Sequence, residues 1–312
     1  MRRCFVIVNP VSGRGDGARA VPRIEHELQA AGLDFQLVRT ERPWHAAELA
    51  RKASVDGFDV VVAAGGDGTA NEVLNGLMQA KQATGRCAVM GALCVGRGND
   101  FAFGVGVPRE LASGCRVVAE GRTRWIDVGR VSGGDFPQGR YFGNGVGIGF
   151  DTIVGFEAQK LKHVHGFAAY LIGALKTIFL YFRAPLVRIT CDERTIQQRA
   201  LLVSIMNGRR MGGGFLMAPD GRPDDGVLDL CIAGQVTRGG VLALMPRFMK
   251  GTQGAHPAIT TTRSRRVSVA AVEGSLPAHA DGETICTAGD RLDVELLPKQ
   301  ISIVVGGEAT SP

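Results

Sequence analysis

The 312-residue chain has few aromatic rings: two tryptophans, three tyrosines and fourteen phenylalanines. So few stacking surfaces argue against a single-stranded nucleic-acid platform. The net charge of +6 still favours anionic partners. There is no CxxC pair. The seven cysteines, Cys4, Cys87, Cys94, Cys115, Cys191, Cys231 and Cys286, are odd in number and scattered, which argues against a disulfide framework and a zinc site. Most fall in apolar runs and are expected as buried thiols in a reducing, cytoplasmic compartment. The apolar stretch of the opening MRRCFVIVNP is too short for a signal peptide.

No run reaches the roughly 20 apolar residues of a membrane-spanning helix. The nearest is FAAYLIGALKTIFLYF at 167–182, which Lys176 interrupts. Phe167, Tyr170, Leu171, Ala174, Leu175, Ile178 and Phe179 fall there at helical spacing. That stripe reads either as a buried helix or as one beside a lipid cleft or bilayer surface. The chain also lacks a GxxxxGK[ST] loop, the HRD and DFG protein-kinase signatures, a GxSxG elbow and internal repeats. His163 and His165 have no acid or cysteine at ligand spacing, so they do not read as a metal site.

The first third alternates short apolar runs with helical patterns. Strands are expected at Cys4–Val8, Phe35–Val38, Val60–Ala64 and Ala88–Val95. Helices are expected around Val21–Ala31, from Pro43, and over Thr69–Met78. This βαβα order predicts a parallel sheet covered on both faces. After about residue 126, strands dominate: Leu186–Cys191, Arg199–Met206, Val227–Ala233, Val267–Val272, Arg291–Leu297 and Ile301–Val305. The chain is therefore read as an α/β domain over 1–126 and a mainly antiparallel, β-rich domain over 127–297. The tail at 298–312 is a candidate to return to the first domain.

The 44 glycines gather in short loops after strands. AAGGDGTANEVLNGL at 63–77 leaves a strand and enters a helix. In a parallel sheet that point is the carboxyl edge, where ligands bind. Gly65, Gly66 and Gly68 let the backbone approach a phosphate, and successive amides at a helix start attract anions. Asp67 would repel a phosphate unless a magnesium ion lay between them. A plain turn with Thr69 as helix cap would not need GGDG. Asn71 and Glu72 are placed to contact nucleotide or to order the loop. A second loop, Asn9-Pro10-Val11-Ser12-Gly13-Arg14, and a third, Gly96-Arg97-Gly98-Asn99-Asp100, follow the first and fourth strands. Arg14 and Arg19 could supply charge to phosphate. Three strand ends thus deliver glycine and polar groups to one edge, two of them with an acid, Asp67 and Asp100.

GGDGTANEVLNGL, GRGNDFA and NGVGIGFD, taken with NPVSG, IDVG at 126–129, PDGRPDDGVLDL at 219–230 and DGE at 281–283, resemble the diacylglycerol kinase catalytic family. That family includes sphingosine kinases and bacterial lipid kinases, and the likeness spans nearly the whole chain. GGDGT alone is shared with NAD kinases and phosphofructokinases; DDGVLD and the late DGE carry the distinction. The resemblance implies an α/β nucleotide domain and a sandwich-like β domain with the active site in the cleft between them. It implies ATP, Mg2+ and a lipid hydroxyl at a membrane surface, hence a cytoplasmic protein peripheral to the inner membrane surface. It implies nucleotide contacts from Asn9, Pro10, Ser12, Gly13, Arg14, Arg19 and Thr40, and from Gly65, Gly66, Gly68, Thr69, Glu72 and Asn99. Asp67 would hold magnesium directly or through water, with Asp100 and Asp127 nearby. Asp281 would take the acceptor's proton and Glu283 would orient nucleotide or water, although DG is also a hairpin-turn signal. A second, structural metal is implied at Asp225 with the carbonyls of Arg222 and Val227.

Two residues depart from the family pattern. Cys94 stands in the usual proline position and Arg97 in the usual threonine position. Lys160, Lys162 and His163 read either as a solvated face or as contacts to phosphates or lipid headgroups. A soluble acceptor such as NAD, a sensor that binds without turnover, and a homodimer are left open.

Overall fold

The computed structural model describes residues 2–159, 166–180, 184–192 and 194–306. Lys160, Lys162, His163 and His165 lie outside these. The chain divides into two compact units. One holds residues up to Val128 together with those from Pro298 on; the other is Gly129–Leu297.

The first unit runs β1 (Arg3–Val8), α1 (Asp16–Ala30), β2 (Asp34–Arg39), α2 (His45–Val55), β3 (Val60–Gly65), α3 (Asp67–Thr84), β4 (Val89–Cys94), α4 (Asp100–Gly104), α5 (Leu111–Glu120) and the start of β5 (Thr123–Gly133). β2, β1, β3 and β4 lie side by side and parallel. β3 reads VVVAAG and is buried throughout, as a strand covered on both faces must be. Val6, Val8, Val62 and Ala64 pack with Ile24 and Leu28 of α1 and with Cys115 and Val118 of α5. Two helices differ from their expected spans. α2 begins at His45, because Trp44 takes a left-handed φ of 66°. α3 begins at Asp67, so Thr69 lies inside its first turn and is not its cap.

The second unit runs β6 (Phe136–Phe142), β7 (Gly145–Gly149), α6 (Phe150–Gln159), α7 (Gly166–Leu180), β8 (Leu186–Cys191), β9 (Arg194–Met206), β10 (Leu228–Gly234), α8 (Arg238–Lys250), β11 (Ile259–Ser264), β12 (Arg266–Glu273), β13 (Leu276–Ala280), β14 (Glu283–Gly289) and β15 (Arg291–Val304). The early part of β9 pairs with β8, and its later part pairs with β7 and β10, all antiparallel. One long strand therefore serves two sheets, the corner device of sandwich-like folds. Val203 and Ile205 of β9 pack in one cluster with Phe142, Val269 and Ile285. The other face of the same strand, Leu202 and Met206, packs with Phe215, Leu244 and Phe248.

α7 covers most of the apolar run at 167–182. Its Ala174 and Ile178 are buried, whereas Leu175 is 38% exposed. No helix among the described residues is long and apolar enough to cross a membrane. All seven cysteines are free, and five are buried. Burial pushes the Cys115 thiol up to about 11 and that of Cys231 up to about 12.

β15 starts in the second unit and ends in the first, where Ile303 lies parallel beside Met90 of β4. Lys299 bends the strand with a left-handed φ of 49°. Its amide donates to Oδ1 of Asp127 at 2.8 Å, and Asp127 is fully buried. Asp127→Ala removes this buried acceptor. It should destabilise the fold by about 1–3 kcal/mol, read as a lower urea midpoint. An unchanged midpoint would deny Asp127 a structural part.

Candidate functional site

Three loops meet at the carboxyl edge of the parallel sheet. Asn9 donates from Nδ2 to the Thr69 hydroxyl at 3.1 Å, and its Oδ1 accepts the Val11 amide at 3.1 Å. The loop after β1 is thus tied to the first turn of α3. Gly66 caps that helix with extended backbone, and no side chain closes it. An open helix start with positive end charge attracts an anion. The glycines are sterically required. A Cβ on Gly65 would lie 2.4 Å from the Thr69 hydroxyl, and one on Gly96 would lie 2.3 Å from Gly66 Cα. Ser12 and Gly13 form a short 3-10 turn, with Gly13 and Arg14 at positive φ. Pro10 accepts the Ala18 amide at 3.1 Å.

The acids divide their work. Asp67 Oδ1 accepts the Phe101 amide at 3.0 Å, at the start of α4. Its Oδ2 borders Gly98, as does Oδ2 of buried Asp100. Two carboxylates therefore converge around one glycine, a donor set suited to a hard divalent cation. Asn99 is buried at left-handed φ and donates to Gly96 O at 2.8 Å. Arg97 donates from Nη2 to Gly13 O at 3.0 Å, stitching the first loop to the third. Glu72 Oε2 accepts the Ala46 amide at 3.1 Å, in the first turn of α2. Arg19 pairs with Asp16 on the exposed side of α1. Thr40 continues the β2 ladder through its amide to Val8 O at 2.9 Å.

In the second unit, Asp281 and Gly282 form a two-residue turn between β13 and β14, both at positive φ, as a type I′ hairpin requires. The Asp281 carboxylate also accepts three backbone amides: Gly143 at 2.8 Å, Asn144 at 3.0 Å and Gly145 at 2.9 Å. These occupy three of its roughly four acceptor positions. Glu283 is half exposed, with Oε2 4.0 Å from the guanidinium of buried Arg140.

Two residues beside this turn carry a polar contact that the sequence reading did not isolate. His279 Nδ1 accepts the Gly282 amide at 3.3 Å, which places the ring proton on Nε2. Nε2 then donates to Asp151 Oδ2 at 3.3 Å. Both side chains are buried. Gly147 makes room for the pair, since a Cβ there would sit 1.9 Å from Asp151 Oδ2. The partners are 128 positions apart, so no local pattern announces them.

Asp151 also borders a cavity of about 60 Å³, open at its mouth and walled by Val154, Ala174, Leu202, Phe215, Val241 and Leu244 among others. Among the described residues it is the only ionisable side chain in that wall. The 219–230 loop lies elsewhere in this unit. Asp225 is exposed and its Oδ1 accepts the Val227 amide at 3.2 Å; Arg222 is exposed and faces Asp224. Burial raises the carboxyl pKa of Asp229, the nearby Arg263 lowers it, and Asp225 and Asp220 push it up again. Among the described residues, no three histidine, cysteine or acidic side chains group as a metal site.

A parallel sheet with an open helix start amid glycine loops, followed by an antiparallel unit with an apolar cavity, defines a two-domain α/β plus β protein with a sheet edge suited to a phosphate. The family comparisons make this particular. Residues 3–131 match the diacylglycerol kinase catalytic domain, and residues 144–305 match the YegS C-terminal NAD kinase beta sandwich-like domain. A diacylglycerol kinase of Bacillus subtilis (strain 168) is 30% identical over 285 residues, covering 91% of this chain and 90% of that protein. A diacylglycerol kinase of Staphylococcus saprophyticus is 29% identical over 283 residues, covering 90% and 89%. The chain belongs to the diacylglycerol kinase family and is a kinase. Solved structures share its fold. A diacylglycerol kinase from Bacillus anthracis has a TM-score of 0.72 at 21% identity, covering 98% of this chain and 97% of that one. An NAD kinase from Archaeoglobus fulgidus in complex with ATP has a TM-score of 0.51 at 16% identity, covering 97% and 93%.

The Asp281 contacts separate anchoring from chemistry. Asp281→Asn turns an amide NH2 towards a backbone N–H. It should cost about 1–3 kcal/mol, or about 2–4 °C of melting temperature per kcal/mol. A melting temperature equal to that of the parent would show that the three contacts do not anchor the turn.

Proposed function

We propose that this kinase transfers the γ-phosphoryl group of ATP to the hydroxyl of a lipid alcohol, diacylglycerol or a close relative. The observation that carries the acceptor is the apolar cavity with one buried acid in its wall. Acyl chains fit such a lining, whereas NAD, charged along its length, would leave its polar groups unpaired there. The relatives named diacylglycerol kinase support the same acceptor.

Phosphoryl transfer depends on positioning and charge neutralisation more than on covalent help. In this reading the amides of Gly65, Gly66 and Gly68 hold the triphosphate, with Ser12 and Gly13 beside them. Asp67 and Asp100 would hold Mg2+, which neutralises phosphate charge when bound. Asp281 takes the proton of the acceptor hydroxyl, help worth about 10²- to 10⁴-fold. Its three amide contacts fix the carboxylate in direction. Glu283 orients nucleotide or water.

A structural metal at Asp225, with carbonyls from Arg222 and Val227, suits a loop whose acids crowd Asp229 and are balanced there by Arg263. If it is bound, chelator should lower the melting temperature, and Asp225→Ala should make the protein insensitive to chelator. Equal melting with and without chelator would end this assignment.

The deciding experiment is transfer from labelled ATP with magnesium to diacylglycerol in mixed micelles, with NAD as soluble control and Asp67→Asn as blank. Labelled lipid, absent from the blank, is the expected product. Ala174→Phe fills the cavity and should raise the KM for long-chain acceptor about tenfold, the equivalent of one aliphatic burial, with the KM for ATP unchanged. Label in NAD alone would overturn the lipid acceptor.

A further inference from the structure

α8 is apolar on both sides. Its inner face, Val241, Leu244, Met245 and Phe248, lines the apolar cavity. On its outer face Leu242 is 40% and Met249 45% exposed, with exposed Pro246 between them. These fall at i, i+4 and i+7, one continuous stripe. The next stripe carries exposed Arg247 and Lys250, and the helix RGGVLALMPRFMK contains no acid. Neither cation meets a carboxylate among the described residues. The helix dipole favours cations in a last turn, but it gives no reason for exposed leucine and methionine beside them. α7 packs beside α8. Its Leu175 and Lys176 are exposed, its Ala174 lines the same cavity, and Arg238 of α8 donates to Ile178 O of α7 at 3.0 Å.

We propose that the outer face of α8, with Leu175 and Lys176 of α7, docks on a bilayer containing anionic phospholipid. Exposed apolar side chains flanked by unopposed cations are the signature of a helix lying in the interface plane. The same helix walls the cavity, so docking sets the cavity against the membrane that holds its lipid; this last step rests on the lipid-acceptor reading.

The test uses the full chain and sedimentation with vesicles of phosphatidylcholine, alone or mixed with phosphatidylglycerol. Nucleotide and diacylglycerol are left out, so the result stands whatever the acceptor proves to be. The parent should bind the mixed vesicles. Leu242→Glu with Met249→Glu should weaken that binding at least about tenfold, the equivalent of losing one buried aliphatic side chain. Arg247→Gln with Lys250→Gln should remove the preference for phosphatidylglycerol. Both variants should melt with the parent. Vesicle binding unchanged in the glutamate variant would overturn the proposal. So would a drop in the mass of the free protein in that variant, which would make the face a contact between copies.

Discussion

The nucleotide edge depends on backbones that approach more closely than side chains allow. Gly66 and Gly96 lie so near one another that a methyl group on Gly96 would overlap Gly66 Cα. Gly17 is pressed against Asn9 O in the same way, with a Cβ at 1.9 Å. These contacts draw the loops after β1, β3 and β4 into one concave surface. Only then can Asn9 reach Thr69, and Arg97 reach Gly13. The helix start at Gly66 stays open because the neighbouring side chains are spent on holding loops. A capping serine or aspartate there would stabilise α3 by roughly 0.5–2 kcal/mol, but it would fill the acceptor-seeking end that an anion needs.

The second unit solves a similar problem with glycine in a strand. β7 reads GVGIG, a composition that weakens a strand. The reason lies on its faces. Gly145 backs onto Met206, and Gly147 onto Asp151 and His279. His279, Gly147 and Ser204 are paired across β13, β7 and β9, so the missing side chain opens a slot in the middle of a rung. Asp151 enters that slot from α6. The buried acid thereby gains a second donor, His279 Nε2, beside the Thr152 amide that its Oδ1 accepts at 2.8 Å; a buried carboxylate needs such partners.

Much of this was legible because the signals are local. The period-two and period-3.6 patterns of the first third, with glycine punctuation, specify a parallel sheet and the edge at which its loops gather. The ordered motifs specify the family. What escaped is non-local or disguised. The Asp151–His279 contact joins α6 to β13 across most of the second unit. NGVGIG does not read as a strand until the groups filling its missing side chains are seen. α8 was not anticipated, because two glycines and Pro246 break its helical look. Pro246 is tolerated in the outer, exposed face, and Thr237 caps the start by accepting the Gly240 amide at 3.1 Å. Trp44 hid the start of α2, since a bulky residue at positive φ is rare.

Arg97 shows how a departure from a family pattern is read physically. Threonine in its place would offer a hydroxyl, whereas arginine brings a permanent charge on a long stem. That charge donates to Gly13 O, a neutral carbonyl, so the bond fixes the guanidinium without cancelling it. The nearby acids Asp67 and Asp100 are partly committed, Asp67 to the Phe101 amide. A fixed cation beside an open helix start deepens the positive potential where a phosphate would enter. The substitution therefore keeps the loop geometry, which glycines set, and changes the electrostatics of the edge.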